Sequence, residues 1–244
     1  MHTEMRGTDM TSPIILAVDT RDLDTAKRWI DATRESVSVY KLGLEFFLTF
    51  GAVGVREIAN EFGVEIFLDL KLHDIPNTVS SATSAIAELS PRFLTVHASG
   101  GSAMIAAAVA AAPHIDITAV TILTSLSEED LFSVGFANRA LESAVALAQL
   151  ATSSGARAIV CSPLEIADIR RVVGDEITII TPGVRPASAQ PADDQVRTMT
   201  PEAAIAHGAN YVVIGRPITG KWGSGATAMS QAASDIVASI QSRG

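Results

Sequence analysis

Short apolar runs and longer segments of helical periodicity alternate along this chain, and that alternation limits the possible fold more than any single motif does. The runs cover residues 14–18, 37–42, 64–70, 93–96, 117–123, 157–161, 177–180 and 211–214. Most are continuously apolar and β-branched, the pattern of parallel strands covered on both faces. Helical patterns fill the intervals at 22–33, 45–61, 78–89, 102–112, 138–153, 163–172, 201–207 and 226–241. Strict βα alternation predicts a parallel sheet. Eight such units in 244 residues average roughly 30 residues each, the size class of the α/β fold known as the (β/α)8 or TIM barrel. A doubly wound open sheet would carry a glycine-rich turn after the first strand, but Asp19-Thr20-Arg21-Asp22 stands there. No linker or composition shift divides the chain. The expected organisation is a mobile tail over 1–12 and a single barrel domain over 13–244.

A barrel gathers its active site at the C-terminal ends of its strands, and the polar residues of this chain collect there. Asp19 closes the first run and Lys41 the second. Asp69 and Lys71 close the third, with Asp74 just beyond. His97 follows the fourth, Thr124 and Ser125 the fifth, Arg185 the seventh, and Gly215 and Arg216 the eighth. The strand starts hold no comparable cluster. This one-sided distribution points to an enzyme rather than a scaffold.

Charge decides which substrates fit. Lys plus Arg number 18 against 27 Asp plus Glu, a net charge of −9, so no long-range positive field exists to attract nucleic acid. An anionic substrate needs a local basic pocket. No apolar stretch approaches the roughly 18 residues that span a bilayer, and the start MHTEMRGTDM lacks a signal peptide's apolar region. No membrane partner is expected. The one cysteine, Cys161, sits in an apolar run without a disulfide partner and reads as core, which fits a reducing cytoplasm.

Asp69 and Lys71 share one face of their strand, placing a carboxylate beside an ammonium. With Lys41 and Asp74 they make a balanced set in which neighbours hold each lysine protonated and each aspartate ionised. Such an array can set an ammonium against a carbanion as it forms. Gly215-Arg216, at the mouth of the eighth strand, falls where barrels of this kind bind phosphate, and an arginine fork suits phosphate oxygens. The polar segment 184–198, which contains Gln190 and Gln195, is the longest such connection and reads as a closing lid. No metal-ligand spacing and no nucleotide-cofactor motif is visible, so neither metal nor cofactor is expected. His73 and His97 read as structural hydrogen-bonding residues.

Several strings recur in order along nearly the whole chain: AVD around Asp19, YKLG around Lys41, DLKLHDIPNT from Asp69 to Thr78, TVHASGG from Thr95 to Gly101, LTS around Thr124, TPGVR ending at Arg185, and IGRPIT around Arg216. Together they resemble the bacterial orotidine 5'-phosphate decarboxylases. The resemblance implies cofactor-independent decarboxylation of orotidine 5'-phosphate to uridine 5'-phosphate in pyrimidine biosynthesis. It implies that Lys71 donates the proton to C6, Asp69 faces the departing carboxylate, Lys41 binds the ribose and orients the charges, and Asp19 contacts ribose hydroxyls. Thr124 would bond the pyrimidine, and Arg185, Gln195 and Arg216 would grip the phosphate. Asp74 and Thr78 would be given to the partner's site in a homodimer. One rival is a metal-dependent sugar-phosphate decarboxylase or aldolase of the same superfamily, which shares the Asp-x-Lys-x-x-Asp pattern; the IPNT and TPGVR strings speak against it. A second is a nucleotide-binding barrel without turnover, and the four charged residues speak against that.

Overall fold

Each apolar run forms a strand in the computed structural model, which describes residues 12–186 and 199–242. The strands are β1 (Ile14–Ala17), β2 (Val39–Gly43), β3 (Glu65–Leu72), β4 (Phe93–His97), β5 (Asp116–Val120), β6 (Ala158–Val160), β7 (Thr178–Thr181) and β8 (Tyr211–Ile214). They pair in parallel in chain order and close through β1 and β8, where Ile15 lies opposite Val213. The fold is therefore the (β/α)8 barrel, and the two-faced burial that demands continuous apolar strands is visible directly. Ile14, Leu16, Tyr40, Leu42, Ile66 and Leu68 point outward into the layer shared with the helices. The alternate residues Ile15, Val39, Phe67, Phe93, Ile180 and Tyr211 fill the barrel interior.

That interior layer closes the barrel on one side of the site. The Phe93 ring meets Phe67 and Tyr211 edge-on at 5.7 and 5.9 Å between centroids. The Arg92 guanidinium lies over both Phe93 and Tyr211, at 4.9 and 5.2 Å, and pairs with Glu65. With that end occupied by packed aromatic rings, the open end is the one reached by the C-terminal ends of the strands.

Helix boundaries follow local chemistry. Asp22 caps the helix Leu23–Thr33 by accepting from Thr25 N at 2.6 Å. Ile75, forced into an extended conformation by the proline after it, is followed by the helix Pro76–Ala87 with Pro76 in its first turn. That helix begins two residues before the expected 78. A short helix, Glu128–Ser133, was not expected; Ser127 and Asp130 form a reciprocal capping box at its start. β5 ends at Val120 rather than at 123, so Thr124 stands in the following loop. Of the expected tail, residues 1–11 lie outside the described residues, whereas the Ser12 hydroxyl donates to Ser36 O at 2.6 Å.

Candidate active site

Four charged side chains from three adjacent strands meet at the mouth of the barrel. Lys41 alternates with the buried Tyr40 and Leu42, which face the helices, so its own side chain turns to the mouth. Its ammonium stands 3.5 Å from Asp19 Oδ1 and 3.5 Å from Asp69 Oδ2. Lys71 Nζ donates to Asp69 Oδ1 at 2.7 Å. The signs therefore alternate along Asp19, Lys41, Asp69 and Lys71, and the array carries no net charge. Among the described residues no other side chain takes the remaining N–H donors of Lys71, so its ammonium keeps donors for a substrate. Burial acts to raise the Asp69 pKa, but Lys41, Lys71 and the hydrogen bonds from Lys71 and Thr95 outweigh it and hold the carboxyl below its ordinary value.

A glycine leaves space beside this array. A Cβ at Gly43 would lie 3.2 Å from Lys41 Nζ and 3.7 Å from Asp19 Oδ1. Lys41 and Gly43 point to the same face, two residues apart, and the missing side chain leaves room for the ammonium to lie between two carboxylates. The YKLG string held this signal as a glycine two residues after a catalytic lysine candidate.

All four groups line one cavity of about 1130 Å³. Arg185, Gly215 and Arg216 line it too, as does Thr124 from its loop. Beyond β7, Gly183 takes a left-handed φ of 78°, which turns the chain over the mouth at a position where a side chain would be strained. Arg185 N then donates to Met199 O at 2.9 Å, joining the two ends of the segment 187–198. Lys221, which the sequence did not single out, adds another cation to the lining. Phe67, Val120, Ile122, Val160 and Val213 supply apolar wall.

The remaining expected site residues fall elsewhere. Asp74 and Thr78 are exposed and absent from this cavity; Asp74 accepts from Ile75 N at 2.7 Å. Of the expected set Lys41, Asp69, Lys71 and Asp74, the structure brings the first three together within one chain, with Asp19 rather than Asp74 as the fourth charge. Gln195, Gln190 and most of the expected lid lie outside the described residues. Cys161 is buried, as expected of core, and also forms part of the cavity wall; burial, with Glu165 nearby, pushes its thiol pKa well up. His73 and His97 meet in a tilted contact, 5.4 Å between ring centroids and 42° between planes. Among the described residues no group of three or more His, Cys, Asp or Glu side chains could hold a metal ion.

Known proteins resemble this chain in sequence and architecture. The family model for the orotidine 5'-phosphate decarboxylase / HUMPS family matches residues 12–230. An orotidine 5'-phosphate decarboxylase of Thermobifida fusca is 51% identical over 224 residues, covering 92% of this chain and 96% of that protein. One from Frankia casuarinae is 45% identical over 239 residues, covering 91% of this chain and 87% of that protein. The crystal structure of orotidine 5'-phosphate decarboxylase from Lactobacillus acidophilus superposes with a TM-score of 0.80 at 33% identity, covering 94% of this chain and 99% of that one.

Proposed function

The chain belongs to the orotidine 5'-phosphate decarboxylase / HUMPS family, and from that membership we propose that it decarboxylates orotidine 5'-phosphate to uridine 5'-phosphate. The observation that carries the choice within the family is the alternating array of Asp19, Lys41, Asp69 and Lys71 in a cavity that also presents Arg185 and Arg216. A nucleotide monophosphate places its phosphate on the arginines and its base near Lys71. Thr124 reaches the pyrimidine, Asp19 and Lys41 hold the ribose, and Arg185, Gly215 and Arg216 bind the phosphate; Gln195, the further phosphate residue that the resemblance implies, lies outside the described residues.

The reaction breaks the bond between C6 and the carboxylate carbon, leaving the electron pair on C6 and releasing carbon dioxide. Lys71 faces the developing carbanion with an ammonium and then transfers a proton to C6. Solvent returns that proton to the lysine. At about 4 Å and an effective dielectric of about 20, one such opposite charge is worth on the order of 4 kcal/mol, or roughly three powers of ten in rate. Asp69 lies against the substrate carboxylate and loses that repulsion as carbon dioxide leaves. Its lowered pKa supports the reading, because an ionised carboxylate is what pairs with the Lys71 side chain. Phosphate contacts far from C6 supply binding energy that assembles the site around the reacting carbon.

The reading extends to assembly and location. Two copies form a homodimer in which Asp74 and Thr78 of each serve the other's site; the exposure of the whole 73–78 stretch, with Ile75 at 66%, leaves that stretch open to a partner. Residues 13–244 make up the catalytic domain. No described helix is long and apolar enough to cross a membrane, and the cytoplasm is the proposed location.

The loss of ultraviolet absorbance of orotidine 5'-phosphate in excess EDTA tests the activity. Rapid, chelator-insensitive loss is expected. Activity abolished by EDTA and restored by a divalent metal would move the assignment to the sugar-phosphate branch.

A further inference from the structure

The β3–β4 pairing breaks at the charged residues. Phe67 lies opposite Phe93 and Leu68 opposite Leu94, but the register then resumes at Leu72 opposite Val96. Asp69, Leu70 and Lys71 therefore stand against Thr95 alone. Inside this bulge Lys71 takes a left-handed φ of 49°, which an L side chain rarely adopts. A bulge frees backbone groups from the ladder and re-aims side chains, so something must fix where these ones point.

Thr95 does so with one atom. Its Oγ1 accepts from Lys71 N at 2.8 Å and donates to Asp69 Oδ1 at 3.1 Å. The same carboxylate oxygen accepts from Lys71 Nζ at 2.7 Å. Three hydrogen bonds therefore link Lys71 N, Thr95 Oγ1, Asp69 Oδ1 and Lys71 Nζ in a loop that the lysine side chain itself closes. The residue is fully buried, so water does not compete for the hydroxyl. It does not line the cavity and so stays clear of substrate. Threonine suits the place because it keeps the β-branched shape of a strand residue while supplying both an acceptor and a donor.

We infer that Thr95 is a positioning residue for the reaction: its hydroxyl holds the bulged backbone at Lys71 and the carboxylate of Asp69 in the single arrangement that sets ammonium against carboxylate. The inference rests on the reading that Asp69 and Lys71 perform the decarboxylation. Valine copies the shape of threonine without either hydrogen bond, whereas serine keeps both. In Thr95→Val, kcat is expected to fall by about 100-fold with KM within about threefold of the parent, the cost of a misplaced catalytic pair. Thr95→Ser should restore kcat to within about threefold of the parent. If Thr95→Val does not fold, Thr95→Ala, which leaves space for a water, takes its place. An unchanged kcat in the hydroxyl-free variant, or equal loss in the serine variant, would overturn the inference. Crystal structures of the same variants read the geometry without any substrate. Retention of both the left-handed Lys71 and the short Asp69–Lys71 contact without the hydroxyl would overturn it; their loss in Val and retention in Ser would support it. A parent protein that fails to decarboxylate the nucleotide refutes the assigned activity, and the crystallographic comparison then decides the role of Thr95 alone.

Discussion

Asp69 shows how a buried carboxylate stays charged: two ammoniums and a hydroxyl surround it, and their combined effect exceeds the cost of its burial. His97 is the opposite case. Burial lowers its pKa first, the neighbouring His73 and Lys71 lower it further, and Asp69 offsets only part of this. The folded protein therefore holds His97 neutral at a pH where the unfolded chain, with the ordinary value near 6.5, already takes up a proton. Unfolding binds the extra proton, so stability falls as pH drops from about 6.5 through the lowered folded value, and the loss levels off below it. Urea unfolding between pH 7.5 and 5 should show a shallower decline for His97→Asn than for the parent. The difference should stay below about 1.4 kcal/mol per pH unit, since solvent screens a half-exposed ring. Identical slopes would mean that His97 titrates alike in both states. At this scale the alternation of a strand puts Asp69 and Lys71 on one face, where the structure pairs them, although an Asp-x-Lys by itself reads as readily as a plain ion pair. Thr95 stayed hidden, and Gly43 showed only as the last residue of the YKLG string. A threonine in a β-branched strand looks like any other, and the role of Gly43 lies in the space it leaves beside Lys41 rather than in any group it carries.

The elements were the most legible part, since a parallel barrel buries both faces of each strand and so writes each one as an unbroken apolar run. Where expectation and structure differ, a local force explains the difference. The helix after β3 starts at Pro76 because proline is preorganised for a first turn. The helix Glu128–Ser133 is too short for its periodicity to register, although Ser127-x-x-Asp130 was there to be read as a capping box. The β3 bulge has no signature in a sequence whose apolar alternation passes through it unbroken: Leu68 and Leu70 are both buried, as regular pairing would have them. The functional consequence of that bulge, a left-handed lysine tied to the neighbouring strand, belongs to tertiary structure.

As a whole, the molecule is acidic, with a net charge of −9, yet its cavity gathers Lys41, Lys71, Arg185, Arg216 and Lys221. Local convergence of strand ends, rather than overall charge, concentrates these cations. In the proposed homodimer, Asp74 and Thr78, both exposed, would contribute to the site of the second copy. Mixing the inactive variants Lys71→Ala and Asp74→Ala under conditions that exchange subunits should therefore restore up to about a quarter of the parent activity, through hybrids that keep one intact site. No recovery despite demonstrated exchange would contradict a shared site. The central claim is that the Lys71 ammonium, held in the alternating array, performs the chemistry rather than merely binding the nucleotide. Its most direct test sets the decarboxylation rate of Lys71→Ala against that variant's affinity for uridine 5'-phosphate. A loss of at least about 1000-fold in kcat, with product affinity within about tenfold of the parent, is the expected result. A variant that turns over within tenfold of the parent, or loses affinity and rate in equal measure, would contradict the account.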